Sequence, residues 1–302
     1  LKYLKPLSVL ISQFWLFIYL ILNTKKGENL IVYHSLWLMY PLYVAKKIKK
    51  FKLILEVEEI YQDARKVSKI NSLLEHKTIN LADKYIFPTS LLNDKINSQS
   101  KGHTILYGTY KIEERRVSNF SDGKIHIVYA GTFDPNKGGV QTAIEIAPHL
   151  SNNYHLHIMG FGSSSQLKET IKQITKTSEL SECEITYEGE LKGKEYVSFL
   201  QKCHIGLSTQ RPDADFNKTS FPSKVFSYLV NGLRVVSIKL EVLSLSPVDS
   251  IIYYSQSSSS ESLAKAIMSI DVTERYNSSK LINMLDNKFE KELEDLIGII
   301  NG

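Results

Sequence analysis

The sequence predicts an α/β protein of two doubly wound domains, each built on a parallel sheet. Three observations predict this class. Short apolar, β-branched runs alternate with helix-compatible stretches through the first 120 residues, the alternation restarts after a polar segment, and residues 216–236 read as a loop, a helix and a buried strand in succession. Such alternation is typical of parallel sheets covered by helices. With 302 residues, 43% of them hydrophobic, the chain is long enough for two cores.

The first 52 residues are basic and contain the most apolar run of the chain. They hold nine lysines and one acid, Glu28, a charge of +8 (9 − 1), whereas the whole chain carries +5, too little to indicate a nucleic-acid partner. The run at 7–22 is shorter than the ~20 residues that span a bilayer, and no small-residue cleavage site follows it. It is a core helix, a helix on a membrane surface, or a signal or transmembrane segment.

The first domain is predicted to contain strands at 29–34, 52–57, 84–88 and 103–107. Four strands are few for a complete sheet, and the chain begins with Leu1, so we expect further sequence upstream. Ser-Asp-Gly within 119–124 is a typical linker. We therefore place the domains at 1–121 and 122–284, with a C-terminal helix at 285–302 assigned to the first.

The second domain repeats the alternation more clearly. Its predicted strands are 124–131, 154–162, 183–191, 203–209, 234–238 and 251–254. Its predicted helices are 138–150, 165–176, 193–202, one that starts near 222, 261–269 and 279–299. Pro222 suits a first helical turn, Thr219 or Ser220 can cap it, and Asn231-Gly232 ends it.

Cysteine and histidine usage gives no sign of a disulfide or a metal site. Cys183 and Cys203 lie in apolar, strand-like surroundings, so we interpret them as reduced core residues of a cytoplasmic protein. The eight histidines show no metal-ligand spacing. We therefore predict no metal and no cofactor.

Ligands of doubly wound sheets bind beyond the carboxyl ends of the strands. Four loops of the second domain should meet there: Gly131–Gly139, Gly160–Ser163, Gly189–Lys192 and Gln210–Lys224. Each has glycine or a dense polar cluster, and Lys137 before Gly138-Gly139 suits a phosphate oxygen. Neither a dinucleotide fingerprint nor a Gly-Lys-Ser/Thr phosphate loop occurs.

The ordered motifs AGTFDPNKGG, HIMGFG, YEGEL and FPSKVFSYLVNGLRVV resemble the donor-binding domain of GT-B glycosyltransferases, specifically the retaining family four. The resemblance covers about 120–270. Upstream, LEVEEIYQDA, LLEHKTINLADKYIFPTS and ILYGTYK resemble the later part of that family's acceptor-side domain, whose opening strand and glycine-rich loop are missing here. It implies two Rossmann-like domains, the first incomplete at its amino terminus.

The resemblance also implies roles for individual residues. Lys137, Gly131 and Gly138 would lie at the donor diphosphate, and Lys137 and Lys224 would act as catalytic cations. The nucleotide base would be lined by Gly160, Gly162, Gly189, Glu190 and Leu191. The donor sugar and phosphates would face Thr219, Ser220, Phe221 and Ser223. Such enzymes need no metal, because fixed cations stabilise the leaving diphosphate.

Three positions depart from the family pattern. Thr132 stands where many relatives carry an arginine, which removes one diphosphate cation. Thr219 and Ser227 stand where relatives place two glutamates, and the second of these commonly holds the ribose. Ser227 offers only a neutral hydrogen bond there, or is simply a small residue on a packed helix.

Acidic residues in the first domain and in one loop of the second can be interpreted either as functional groups or as structural ones. Glu56, Glu58 and Glu59 follow a strand and either bind acceptor hydroxyls, with Glu56 as the catalytic candidate, or cap a helix and meet solvent. Asp213 and Asp215 fit a turn or cap better than catalysis.

We therefore expect a glycosyltransferase that moves a sugar from a nucleotide sugar to an acceptor hydroxyl with retention, in synthesis of surface polysaccharide such as capsule. A lipid-linked acceptor would explain the basic, apolar start through contact with anionic membrane at its inner face. Two alternatives remain open: a sugar-nucleotide epimerase of the same fold, and a degraded or non-catalytic nucleotide-sugar binder.

Overall fold

The computed structural model describes residues 4–64, 67–114 and 117–298. The chain forms two compact units: unit 1 consists of Leu1–Leu106 with Phe289–Gly302, and unit 2 of Tyr107–Lys288. Each unit has its own sheet, and all the paired strands run parallel. The predicted α/β class with two Rossmann-like domains is confirmed.

The sheet of unit 1 has its described strands in chain order. They are β1 (Asn29–Tyr33), β2 (Lys52–Glu56), β3 (Lys84–Phe87) and β4 (His103–Ile105). The helices of this region are α1 (Leu4–Asn23), α2 (Met39–Lys49), α3 (Tyr61–Ala64), α4 (Lys69–Leu81) and α5 (Ser90–Ile96). Leu53, Leu55, Tyr85 and Phe87 are almost fully buried, which explains why these short apolar runs form central strands.

Helix α1 has apolar residues on two faces. Leu16, Phe17, Leu20 and Ile21 pack against the core of unit 1, so the core-helix interpretation holds for that face. The remaining apolar side chains are about half to three quarters exposed: Leu10, Ile11, Phe14, Trp15, Tyr19 and Leu22. None of the helices within the described residues combines the length and the hydropathy needed to cross a membrane.

Unit 2 contains a larger parallel sheet. Its strands are β5 (Ile125–Thr132), β6 (Tyr154–Phe161), β7 (Glu184–Gly189), β8 (Ile205–Ser208), β9 (Arg234–Ser237) and β10 (Ile252–Tyr254). The helices that begin in this unit are α6 (Gly139–Glu145), α7 (Ser164–Ser178), α8 (Gly193–Lys202), α9 (Lys224–Val230), α10 (Glu241–Ser244), α11 (Ser260–Met268) and α12 (Ser279–Ile297). The strand order is β10-β9-β8-β5-β6-β7.

Two local predictions differ from the structure. The helix predicted at 138–150 ends at Glu145 and is followed by a 3-10 turn at Ala147–His149, because Pro148 has no N–H to continue it. Helix α9 begins at Lys224 with Ser223 as its N-cap, so neither Thr219 nor Ser220 caps it. Phe221 is buried against Tyr107 and holds the preceding residues outside the helix.

The division between the units lies at 106/107, whereas the sequence placed it at 121/122. Residues after 106 pack in unit 2 through contacts that a linker pattern does not reveal. The rings of Tyr107 and Tyr110 lie 6.3 and 5.3 Å from that of Phe226, and the Glu113 N–H donates to the Val230 carbonyl at 3.1 Å. The apolar contacts of these aromatic rings outweigh the Ser-Asp-Gly signal.

The C-terminal helix contributes to unit 1. The sequence assigned 285–302 to the first domain, and in the structure the residues from Phe289 onward pack there. Leu296 lies against Ile54 and Ile86, and the Thr104 hydroxyl donates to Glu292 at 2.6 Å.

Both cysteines are free and buried, as predicted. Burial raises the pKa of the Cys183 thiol to about 11, so this side chain stays a neutral core residue.

Candidate functional site

The sheet of unit 2 has a topological switch point between β5 and β8. From β5 the chain continues to one side through β6 and β7, and to the other side through β8, β9 and β10. Ligands of open α/β sheets bind in the crevice that such a reversal leaves at the carboxyl ends of the strands. The loops after β5 and β8 flank this crevice, and they contain the predicted Gly131–Gly139 and Gln210–Lys224 segments.

Glycine is required where β5 and β6 end. Gly131 and Gly160 are partners in the ladder, and Gly160 has φ 143°, so a Cβ there would lie 1.8 Å from the Gly131 carbonyl oxygen. At Gly162 a Cβ would lie 3.0 Å from the Cβ of Phe133. The Tyr187 hydroxyl donates to the Gly160 carbonyl at 3.0 Å and fixes this turn to β7. The glycines therefore keep side chains away from the strand ends, where a ligand can reach the backbone.

The turn at Gly138 brings an arginine into the site that the sequence reading did not single out. Gly138 has φ 64°, and a Cβ there would lie 2.5 Å from Arg211 Cγ. The backbone N–H of Arg211 donates to the backbone carbonyl of Lys137 at 2.9 Å. The guanidinium of Arg211 forms an ion pair with Asp213 on the surface at 2.7 Å. The signal in the sequence was its place in the fourth loop, but only the fold shows that it covers Gly138.

Among the lysines and arginines that the structure describes, Lys224 is the one whose pKa is lowered most. Its Nζ lies 4.2 Å from the centre of the Tyr129 ring and would be 3.3 Å from a Cβ on Gly131. Burial, and secondarily the charge of Lys137, lower the pKa of the ammonium from 10.5 to about 7. A partly buried ammonium next to a second cation is poorly stabilised until an anion arrives. The two predicted lysines, Lys137 and Lys224, therefore lie close enough for their charges to interact, and their catalytic role stays a prediction.

The segment before α9 is held in place by its own side chains. The Gln210 amide donates to Asn217 Oδ1 at 2.7 Å, and the Asn217 amide donates to the Arg211 carbonyl, so Asn217 closes the loop. Thr219 is buried, Ser223 is exposed, and the Ser220 hydroxyl is buried with no hydrogen-bond partner in the structure. An unsatisfied buried hydroxyl is costly unless a ligand pairs with it.

Ser227 already has a partner where the family resemblance implies a ribose ligand. Its hydroxyl lies 2.9 Å from the Tyr196 hydroxyl. This hydrogen bond ties α9 to α8, so the packing reading of Ser227 has a structural basis. Thr132 ends β5 opposite Phe161, whose ring is 52% exposed at the same edge.

The remaining predicted residues of unit 2 lie in the loop after β7. Gly189 has φ 79°, Glu190 forms a surface ion pair with Lys192 at 3.0 Å, and Leu191 is half-buried. Asp215 likewise pairs with Lys218 on the surface at 2.8 Å, which agrees with a turn role.

Glu56 lies in unit 1 at the carboxyl end of β2, and its catalytic role stays a prediction. Burial raises the pKa of its carboxyl group. Burial and the charges of Glu56 and Glu59 raise that of Glu58 as well.

The chain is similar in sequence to one described protein family and in structure to several solved proteins. Residues 124–270, just under half of the chain, match the model of the family described as glycosyl transferases group 1. No curated protein has significant sequence similarity to the chain.

Three solved structures illustrate the structural similarity. Anabaena Alr3699/HepE, solved in complex with UDP-glucose, is 14% identical with a TM-score of 0.65, covering 89% of this chain and 79% of its own. The Escherichia coli trehalose-6-phosphate protein bound with UDP-2-fluoro glucose is 12% identical with a TM-score of 0.65, covering 97% and 78%. The pneumococcal O-GlcNAc transferase GtfA, in complex with UDP and GlcNAc, is 14% identical with a TM-score of 0.59, covering 93% and 60%.

At these identities the structural likeness concerns the fold, while the family match concerns the segment that holds the switch-point crevice. The chain therefore has the GT-B fold, and its residues 124–270 are similar to the glycosyl transferases group 1 family.

Proposed function

We propose that this chain transfers a glycosyl group from a nucleotide diphosphate sugar to an acceptor hydroxyl, with retention at the anomeric carbon and without a catalytic metal. One observation carries the proposal: the Lys224 ammonium lies beside Gly131 at the switch point, and burial together with the nearby charge of Lys137 lowers its pKa to about 7. The complexes of similar structures with UDP-glucose and UDP support a nucleotide-sugar donor.

The cations suit the departure of a diphosphate. As the glycosidic bond to the donor breaks, negative charge grows on the leaving phosphate oxygens, and positioned cations stabilise it. Lys224 lies beside Gly131, and the charge of Lys137 is close enough to lower its pKa. The stem of Arg211 covers Gly138 while its guanidinium pairs with Asp213, so Lys137 and Lys224 are the cations that would bind phosphate. The unpaired Ser220 hydroxyl would donate to a phosphate or sugar oxygen.

The base and sugar would lie on either side of this phosphate site. The ends of β6 and β7, with Gly160, Gly162 and the 189–191 loop, would line the base. Phe161 offers an exposed ring there for stacking. Thr219, Phe221 and Ser223 would shape the sugar side.

A non-catalytic nucleotide-sugar binder is a second candidate, and a specific observation favours it. The Ser227 hydroxyl is engaged with Tyr196, and Thr132 supplies no charge, so two family contacts to the donor are weakened. Binding would survive through the remaining cations, while turnover would not.

Titration calorimetry with uridine, guanosine and thymidine diphosphate sugars tests the proposal. We expect one donor to bind, and Lys137→Gln to weaken it roughly 10–100-fold, the effect of losing one charge-assisted hydrogen bond. Lys172→Gln, an exposed lysine on α7, is the matched control and should bind like wild type. Failure of every donor to bind would refute both candidates.

Turnover separates the two candidates. Release of the nucleoside diphosphate in the presence of acceptor supports a transferase, and the proton NMR spectrum of the product reports its anomeric configuration. Binding without hydrolysis or transfer favours the non-catalytic protein.

We further propose that unit 1 contacts an anionic membrane, in keeping with a lipid-linked acceptor in surface-polysaccharide synthesis. The exposed apolar face of α1 supports this, as do Trp37, Val44 and Ile48, which are exposed in or just before the lysine-rich α2. We expect the chain to sediment with anionic liposomes at low salt, and Trp15→Glu to reduce this. Leu180→Glu, equally exposed in unit 2, is the control. Equal loss in both variants, or no binding by wild type, would contradict membrane contact.

A further inference from the structure

Three imidazoles meet at the amino end of the unit 2 sheet, away from the switch-point crevice. His126 lies on β5, and His155 and His157 lie two residues apart on β6, so all three share one face of the sheet. They are 1%, 9% and 3% exposed, and one ligand atom of each lies within 4.8 Å of the others. Such burial requires that every ring nitrogen have a partner.

Carboxylates lie at the outer nitrogen of each ring. Asp122 Oδ1 is 2.8 Å from His126 Nε2, Glu188 Oε1 is 2.8 Å from His157 Nδ1, and Glu184 Oε2 is 3.6 Å from His155 Nδ1. A carboxylate accepts the N–H of the ring, so the outer nitrogens of His126 and His157 are the donors, and their inner nitrogens are the atoms left to bind a ligand.

The two inner nitrogens then face each other. His126 Nδ1 and His157 Nε2 are 2.8 Å apart, with ring planes 15° from parallel and centroids 5.1 Å apart. Both outer N–H groups are already donated to carboxylates, so two neutral rings have no proton left for this contact. Two lone pairs repel at this distance, and a cation bound to both nitrogens removes the repulsion. A shared proton fits the 2.8 Å separation as it stands, whereas a metal ion bound at about 2.0–2.1 Å would hold the two nitrogens about 3.3 Å apart.

We propose that the cluster binds a divalent metal ion of the zinc class. His126 and His157 would bind it through their inner nitrogens. His155 would join through Nε2, exchanging its present 2.9 Å contact with the Thr186 hydroxyl for the metal. Imidazole ligands backed by carboxylates are the arrangement zinc prefers in proteins.

The charge and position of the cluster agree with this ion. Asp122, Glu184 and Glu188 bring three carboxylates around the three rings, and their side chains are 43%, 49% and 25% exposed. The site joins β5 to β6 directly and to β7 through the carboxylates. It lies at the opposite ends of β5 and β6 from the switch-point crevice, so we expect metal binding to be independent of donor binding.

Metal binding is tested on the full chain after treatment with EDTA, using zinc alone. We expect one zinc per chain in titration calorimetry, with release of about one proton as the metal replaces it. Asp122→Asn removes only an outer carboxylate and should weaken binding about 10–100-fold. Glu182→Gln removes a nearby exposed charge and should leave the affinity unchanged.

Cobalt substitution gives a second readout that needs no variant. Tetrahedral coordination by nitrogen produces intense d–d absorption in the visible spectrum of the wild-type chain, and His157→Gln should abolish it if the circular dichroism spectrum is retained. Lack of saturable binding, or equal affinity in wild type and Asp122→Asn, would overturn the proposal and leave the proton between the rings. EDTA should not alter donor binding, which separates this result from that for the proposed function.

Discussion

Replacing Lys224 by methionine is expected to stabilise unit 2 and to abolish binding of the nucleotide sugar. Methionine keeps the aliphatic stem of the side chain and removes only the ammonium group. In the structure this ammonium lies against the Tyr129 ring, and its pKa falls from 10.5 to about 7 through burial and the charge of Lys137. Folding therefore works against the charge that the site needs for a diphosphate.

The magnitude follows from the change in pKa. A fall from 10.5 to about 7 corresponds to at most about 5 kcal/mol. Lys224 retains some solvent exposure, so we expect ~1–3 kcal/mol. Between pH 7 and about 10.4 the unfolded chain binds more protons than the folded one, so wild-type stability rises with pH across this window. The advantage of Lys224→Met is fully present below pH 7 and disappears near pH 10.

Urea unfolding at pH 6.5 and again at pH 9.5 measures the stabilisation and its dependence on pH, and titration calorimetry with the nucleotide sugar measures the loss of binding. We expect Lys224→Met to have the higher midpoint at the lower pH and a much smaller advantage at the higher pH. Lys172→Met, on the exposed surface of α7, should change the free energy of unfolding by less than about 0.5 kcal/mol at either pH. A variant that is no more stable than wild type at pH 6.5, or whose advantage does not depend on pH, would refute the reasoning about Lys224.

Three further outcomes follow from the same geometry. Gly160→Ala should cost at least about 2–3 kcal/mol in urea unfolding, because its Cβ would meet the Gly131 carbonyl, whereas Gly189→Ala, with open space, should cost about 1 kcal/mol; equal costs would contradict the close approach. Tyr228→Phe should lower the free energy of unfolding by ~1–3 kcal/mol, because the buried hydroxyl accepts a hydrogen bond from the Ala130 backbone N–H at 2.9 Å. An unchanged free energy in the same assay would show that another group satisfies this N–H in the variant. Calorimetry with UDP should show affinity falling by up to about tenfold per pH unit above pH 7, as the bound diphosphate draws a proton onto Lys224; a flat profile would show that this lysine does not meet the phosphate.

Local patterns in the chain were sufficient for most of the elements and for the strand ends at which the candidate site is proposed. The apolar runs at 52–57 and 84–88 became buried strands because a short β-branched segment can be buried on both faces only in a covered sheet. The glycines at 131, 138 and 160 marked the strand ends and turns. Gly138 and Gly160 have positive φ, and a Cβ at Gly160 would meet the Gly131 carbonyl oxygen.

Contacts between distant residues decided what the chain pattern left open. Arg211 reaches Gly138 across 73 residues, and Tyr107 packs against Phe226, which moved the domain boundary although the linker signal at 121 was clear. The histidine cluster appears only when β5 and β6 pair, because its members come from two strands and show no spacing of their own. Sequence periodicity indicates which side of an element is buried, whereas register and strand order determine which side chains come into contact. The lowered pKa of Lys224 depends on such tertiary contacts, because it results from burial and from the charge of Lys137.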